Sequence, residues 1–175
     1  HITSYFVRTN ELQKALEIGL ETKKMAFENQ LEEEELKCYS VLFGVYATKG
    51  DLVTFEELLS EYREKLKVKN DIEKLGVSYM ISGAQYYNLK KYDKAFEDNK
   101  ITIHYLEQTG KTDLLIYAYN NCGYHLINYD LKLANLYLIK ALKLINKEKK
   151  LPDKQHKLKY IEGVVYNNLG EMYLK

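Results

Sequence analysis

The chain of 175 residues is 46% apolar, enough to bury a continuous core, and its 26 Lys and Arg against 25 Asp and Glu leave a net charge of +1. That balance excludes a whole-protein field able to hold nucleic acid phosphates or an anionic membrane surface. No apolar run reaches the ~18 to 20 residues that span a bilayer, and the opening His1-Ile2-Thr3-Ser4-Tyr5 has no charged-then-apolar signal segment.

In chain order, apolar residues at three- and four-residue steps predict a helix at 10–28. Helix pairs follow at 33–48 and 51–67, at 72–89 and 92–108, and at 113–128 and 131–148, with a last helix from 154 to the end. A single proline in the whole chain agrees, because helix interiors exclude it while sheets and long loops need several. Turn residues mark the breaks inside the pairs: Lys49-Gly50-Asp51, Lys90-Lys91-Tyr92-Asp93 and Tyr129-Asp130. Between pairs stand Lys69-Asn70-Asp71, Thr109-Gly110-Lys111-Thr112 and Lys150-Leu151-Pro152-Asp153, with Asp and Thr placed to cap helix N-termini and Gly110 to stop a helix. Cys38 and Cys122 lie far apart without CxxC spacing, which fits free thiols in a reducing compartment, so the expected location is cytoplasmic. Beginning without Met, the chain is expected to be a piece of a longer protein.

The pairs repeat. Gly83 and Gly123 are 40 residues apart, and Ala15, Phe55, Ala95 and Ala134 follow one another at 40, 40 and 39. Gly inside a helix costs roughly 1 kcal/mol against Ala. Gly83, Gly123 and Gly170 are therefore expected to let a neighbouring helix approach closely, as are the small residues Ala95, Ala134 and Ala141 on the second helices. The pentapeptides Tyr119-Asn120-Asn121-Cys122-Gly123 and Tyr166-Asn167-Asn168-Leu169-Gly170 recur 47 residues apart, the extra length falling in the lysine-rich connector from Lys147 to Lys159.

These residues resemble the tetratricopeptide repeat (TPR) family, whose pattern runs W-x2-L-G-x2-Y, A-x3-F and a further Ala. Val165 to Tyr173 fits the first helix with Tyr for Trp. Gly83-x2-Tyr86 followed by Tyr92 and Ala95 fits too, as do Ala134, Leu138 and Ala141. Phe43 and Phe55 stand where the family has Gly and Ala, the turn between Gly123 and Ala134 is one residue short, and the consensus proline is missing. The resemblance implies an all-α fold, a right-handed α-α superhelix of antiparallel helix pairs, running as one array over residues 1–175 and cut in mid-unit at both ends. Units of 40 residues look like those of bacterial cytoplasmic peptide-pheromone receptors, and of sensor segments joined to helix-turn-helix or cyclic-nucleotide-making domains.

In arrays of this type the first helices line a concave wall, so Ser40 with Val41, Met80 with Ile81, Asn120 with Asn121, and Asn167 with Asn168 are expected to form a row. Ala84, Tyr87, Tyr124, Asn128 and Glu171 fall one helical step further along that face. An amide both donates and accepts, so it can bond the backbone of an extended peptide whatever its side chains. Asn120 and Asn167 are expected to point into the groove. Asn121 and Asn168 are assigned to packing within the repeat, with Asn121, Asn168 and Asn128 kept as secondary candidates. Four amides at about 1 kcal/mol each reach only millimolar affinity; Tyr87, Tyr124, Ile127 and Met80 are expected to supply the remaining contact. Glu32 to Glu35 read as a solvated helix start matched to the macrodipole. Cys122 and His125 sit three apart, but two residues do not make a metal site.

The expected function is a non-catalytic module binding a peptide or protein segment, part of a bacterial signalling or transcription regulator, without cofactor or metal. It makes no contact of its own with nucleic acid or membrane. The rivals are a structural scaffold that forms a homodimer through its cut or convex faces, and a regulator of the phosphatase type acting on response-regulator proteins.

Overall fold

The computed structural model describes residues 11–151, 156 and 158–175. Eight α-helices occupy these residues: α1 Leu12–Glu28, α2 Glu32–Lys49, α3 Leu52–Val68, α4 Ile72–Asn88, α5 Tyr92–Glu107, α6 Thr112–Leu126, α7 Leu131–Glu148 and α8 Lys159–Tyr173. The start expected at 154 for the last helix lies outside the described residues, as does most of the lysine-rich connector. No helix among the described residues is long and apolar enough to cross a membrane.

The spacing of the turns explains the period. Gln30, Gly50, Asn70, Lys90 and Gly110 all have positive φ, between 53° and 72°, and stand 20 residues apart. At three of them the same bond closes the helix: Leu31 N–H donates to Ala26 O at 2.8 Å, Asp51 to Tyr46 at 3.1 Å and Lys91 to Tyr86 at 2.8 Å. This six-to-one closure requires a left-handed residue in the turn. Asp51, Asp71 and Asp130 then cap the next helix, accepting from Thr54 N, Lys74 N and Leu133 N at 2.9 to 3.1 Å. Thr112 opens α6 without capping it; Lys111 occupies that position and makes no side-chain cap bond.

The backbone divides into two compact units, the first ending at Lys69 and the second starting at Asn70. In the first, α2 and α3 run antiparallel, since Glu35 near the start of α2 pairs with Lys65 late in α3 at 3.1 Å while Phe43 packs edge-on against Phe55, centroids 5.8 Å apart. With two phenylalanines at the crossing, these backbones approach less closely than those of α4 with α5 or α6 with α7. The solvated reading of the four glutamates holds for Glu32, Glu33 and Glu34. Glu35 departs from it, being 5% exposed with its carboxylate drawn in by Lys65.

The second unit is built in two layers. Gly76 of α4 meets Tyr105 and Leu106 of α5, and Gly83 meets Ala95 and Asn99, so the pair is antiparallel. Tyr119 Oη of α6 donates to Glu107 Oε1 of α5 at 2.6 Å, and Gly123 meets Ala134 and Leu138 of α7, continuing the alternation. Helices α4, α6 and α8 therefore lie parallel in one layer, with α6 between the other two: Lys111 joins Glu73 at the starts of α6 and α4, and Asn168 reaches Asn120 across α8 and α6. The core between the layers holds Leu106, Ile116, Ile127, Leu138, Ile145 and Ile161, each almost fully buried.

Close approach at glycine is observed at two of the three expected positions. A Cβ on Gly83 would stand 3.0 Å from Asn99 Oδ1, and one on Gly123 would stand 2.6 Å from Leu138 Cγ. Gly170 corrects the third, because nothing lies within 4 Å of its Cβ position. No helix among the described residues plays the part there that α5 plays for Gly83 and α7 for Gly123.

Candidate functional site

The open side of α6 follows from its packed side. Gly123 and Tyr119 face α7, the latter with its ring 6.1 Å from that of Tyr137. Positions about half a helical turn away recur at steps of four and three: Tyr117, Asn121 and Tyr124, continued by Asn128 just past the helix end. Tyr117 and Tyr124 keep 39% and 37% of their surface exposed, Asn121 is half-buried and Asn128 is exposed, in contact with the Lys175 ammonium.

The paired asparagines divide differently from the expectation. Asn120 is 5% exposed and Asn168 is 6% exposed, and Asn168 Nδ2 donates to Asn120 Oδ1 at 2.9 Å. Asn120 is thus a buried tie between α6 and α8, which corrects its expected place in the groove. Asn121, assigned to packing, is the one on the open stripe. On α8 Asn168, assigned to packing, is buried against Asn120, and Asn167 is exposed. Asn120 and Asn167, expected to act together, are not brought together. Ile127, expected to offer a pocket, is 2% exposed and belongs to the core. Met80 and Tyr87 are half-buried on α4, while Ser40 and Val41 belong to the first unit.

Tyr87 and Tyr124 do converge, their ring centroids 5.4 Å apart, within a larger aromatic ladder. Tyr87 also lies 5.4 Å from Tyr92, Tyr92 lies 4.7 Å from Tyr129, and His125 stacks flat on Tyr87 at 4.0 Å with 6° between planes. Burial pushes the Tyr87 hydroxyl up to about 12, with the Tyr124 hydroxyl beside it acting in the same direction. His125 is 8% exposed, and burial lowers its pKa to about 4, so the ring is neutral at ordinary pH. Asn99 Nδ2 lies 2.7 Å from His125 Nδ1 and donates to it when that nitrogen is unprotonated. A cleft of about 510 Å³ lined by Lys90, Lys91, Tyr92, Asp93, Lys94 and Tyr129 borders the far end of the ladder.

Tyr92, Tyr129, Tyr117 and His125 were not anticipated as parts of this face. A signal for two of them was present: Tyr87-x4-Tyr92 and Tyr124-x4-Tyr129 each straddle a turn within a pair, 37 residues apart. Cys122 is fully buried, its thiol pushed up to about 12 by burial, while His125 is engaged by Asn99 and Tyr87. The two residues do not form a shared site. Among the described residues no cluster of three or more His, Cys, Asp or Glu could hold a metal ion. The arrangement can offer aromatic area and amide donors and acceptors to an extended chain, which is recognition chemistry.

No protein family, curated protein or solved structure matches this chain.

Proposed function

We propose that the chain is a non-catalytic binding module that holds a peptide or protein segment along the open face of α6, within a TPR-like superhelix serving as the sensor segment of a larger bacterial regulator. One observation carries the reading: Tyr117, Asn121, Tyr124 and Asn128 alternate aromatic and amide along one stripe of α6, exposed except at the half-buried Asn121, with Tyr87 beside it. Aromatic rings supply contact area at low entropic cost, and amides at this spacing serve a peptide backbone in either direction.

The magnitudes set what the ligand must do. If each tyrosine buries a further ~80 Å² of a total near 200 Å², the pair contributes ~4 kcal/mol at ~25 cal/mol per Å². Two amides at about 1 kcal/mol each bring the sum to ~6 kcal/mol, a dissociation constant in the tens of micromolar before association costs. A micromolar ligand therefore extends beyond α6, over Tyr87 and Met80 of α4 or Asn167 of α8.

Panning a displayed library of random short peptides against the purified chain tests this. Enriched peptides are expected to lose at least tenfold in affinity with Tyr124→Ala and severalfold with Asn121→Ala, while Asn167→Ala alone has a smaller effect. Enrichment of peptides indifferent to both α6 substitutions, or no enrichment at all, overturns the proposal.

A further inference from the structure

The outer face of α7 differs from its counterparts on the other second helices. Aligned on Ala15, Phe55, Ala95 and Ala134, the outward positions read Lys14, Glu17 and Leu20 on α1, Thr54, Glu57 and Ser60 on α3, and Lys94, Glu97 and Lys100 on α5. On α7 they read Leu133, Leu136 and Ile139. Leu136 is 49% exposed, while Leu133 and Ile139 on either side of it are half-buried with part of their surface against the core, and the three line a cleft of about 390 Å³ together with Asp130, Lys132 and Asn135. Tyr173 Oη of α8 donates to Asn135 Oδ1 at 3.3 Å along its edge. The same positions are polar throughout on α3 and α5, and α1 carries a single leucine there, Leu20, so three consecutive apolar residues around an exposed Leu136 mark a contact surface.

The repeat itself does not cover that surface. Helix α5 is followed in register by α7, yet Glu97 and Lys100 remain exposed and pair with each other at 2.7 Å. A further helix pair stacked in the same manner would leave the α7 face uncovered too. Charge decides among outside partners. Exposed Lys132, Lys140, Lys143 and Lys147 flank the apolar residues, Asp130 is engaged in capping Leu133 N, and the only acid within α7, Glu148, is buried at its far end. A second copy would bring the same lysines face to face, at a repulsive cost. A recessed cleft with one prominent leucine suits a side-chain knob better than a lipid surface, which favours a broad protruding apolar face.

We infer that the outer face of α7 is a docking surface for an amphipathic helix of a partner protein, with aliphatic knobs seated between Leu133, Leu136 and Ile139 and Glu or Asp flanks on the lysine rim. This surface lies on the second layer, separate from the α6 stripe, and does not depend on it.

The test is selection of a displayed helical peptide library, aliphatic on one face and randomised between Glu and Lys on the flanks, against the whole chain, with counter-selection on Leu136→Asp. Selected peptides are expected to be enriched in Glu, to lose at least tenfold in affinity with Leu136→Asp and severalfold with Lys132→Glu plus Lys143→Glu, and to weaken with salt. The Tyr124→Ala variant is expected to bind them unchanged. Peptides enriched in Lys, or none that discriminate Leu136→Asp, overturn the inference. So does self-association by sedimentation that Leu136→Asp abolishes, which assigns the face to a second copy. Flotation with phosphatidylserine vesicles lost in the same variant, without peptide binding, assigns it to a membrane.

Discussion

Replacing Gly123 with Ala sets two effects of known size against each other. Removing a glycine from a helix interior gains about 1 kcal/mol. The new Cβ, however, would stand 2.6 Å from Leu138 Cγ, 2.9 Å from Leu138 Cδ2 and 3.1 Å from the Ala134 carbonyl oxygen. Carbon atoms prefer ~3.5 to 4.0 Å, so the gap must open by about 1 Å. Leu138 is fully buried and cannot swing aside, so α6 and α7 must separate, at the ~1 to 3 kcal/mol typical of overpacking. The net expectation is a loss of up to ~2 kcal/mol. Gly163→Ala is the internal control: nothing lies within 4 Å of its Cβ position, so only the propensity gain remains. Urea unfolding followed by far-ultraviolet circular dichroism is expected to separate the two variants by ~1 to 3 kcal/mol, since the propensity term cancels in the comparison. Leu138→Ala, costly alone, is expected to be less costly in the Gly123→Ala background, with a coupling of ~0.5 to 3 kcal/mol. Equal shifts for Gly123→Ala and Gly163→Ala, or full additivity with Leu138→Ala, would refute close packing as the reason for this glycine.

Protonating His125 works against folding, because its folded pKa near 4 lies below the ordinary 6.5; its contribution is fully present above pH 6.5 and is lost as pH falls toward 4. A loss on the order of 3 kcal/mol across that window is expected, and His125→Gln should flatten the difference between unfolding curves at pH 7 and pH 5. Asn120→Ala leaves the Asn168 amide buried without its 2.9 Å partner and is expected to destabilise by ~1 to 3 kcal/mol, while replacing both with Leu recovers most of the loss, as thermal unfolding would report. Asp71→Ala removes the side-chain acceptor of Lys74 N and should cost about 1 kcal/mol, against near zero for Lys91→Ala, an exposed residue at the start of α5 that makes no side-chain cap bond.

Elements and turns were legible in the sequence because their causes are local. Apolar residues at helical spacing placed seven of the helices within two residues of their observed ends. Asp51, Asp71 and Asp130 cap helices through their own neighbours, and Gly50 and Gly110 turn the chain with positive φ. The glycines required the next step, a partner helix, and so two of three were read correctly: Gly83 and Gly123 have one, Gly170 does not.

Which amide faces which side was beyond that reach. Adjacent residues on a helix point about 100° apart, so Asn120 and Asn121 belong to different faces, and the pattern Tyr-Asn-Asn is the same whichever one is buried. The arrival of α8 decides it, by bringing Asn168 against Asn120 and leaving Asn121 half-buried on the other side. The sequence by itself determined an all-helical chain of repeated pairs, since hydrophobic period and capping act over a few residues. Tertiary structure alone decided the open stripe of α6, the aromatic ladder and the uncovered face of α7, since burial is a property of neighbours far apart along the chain.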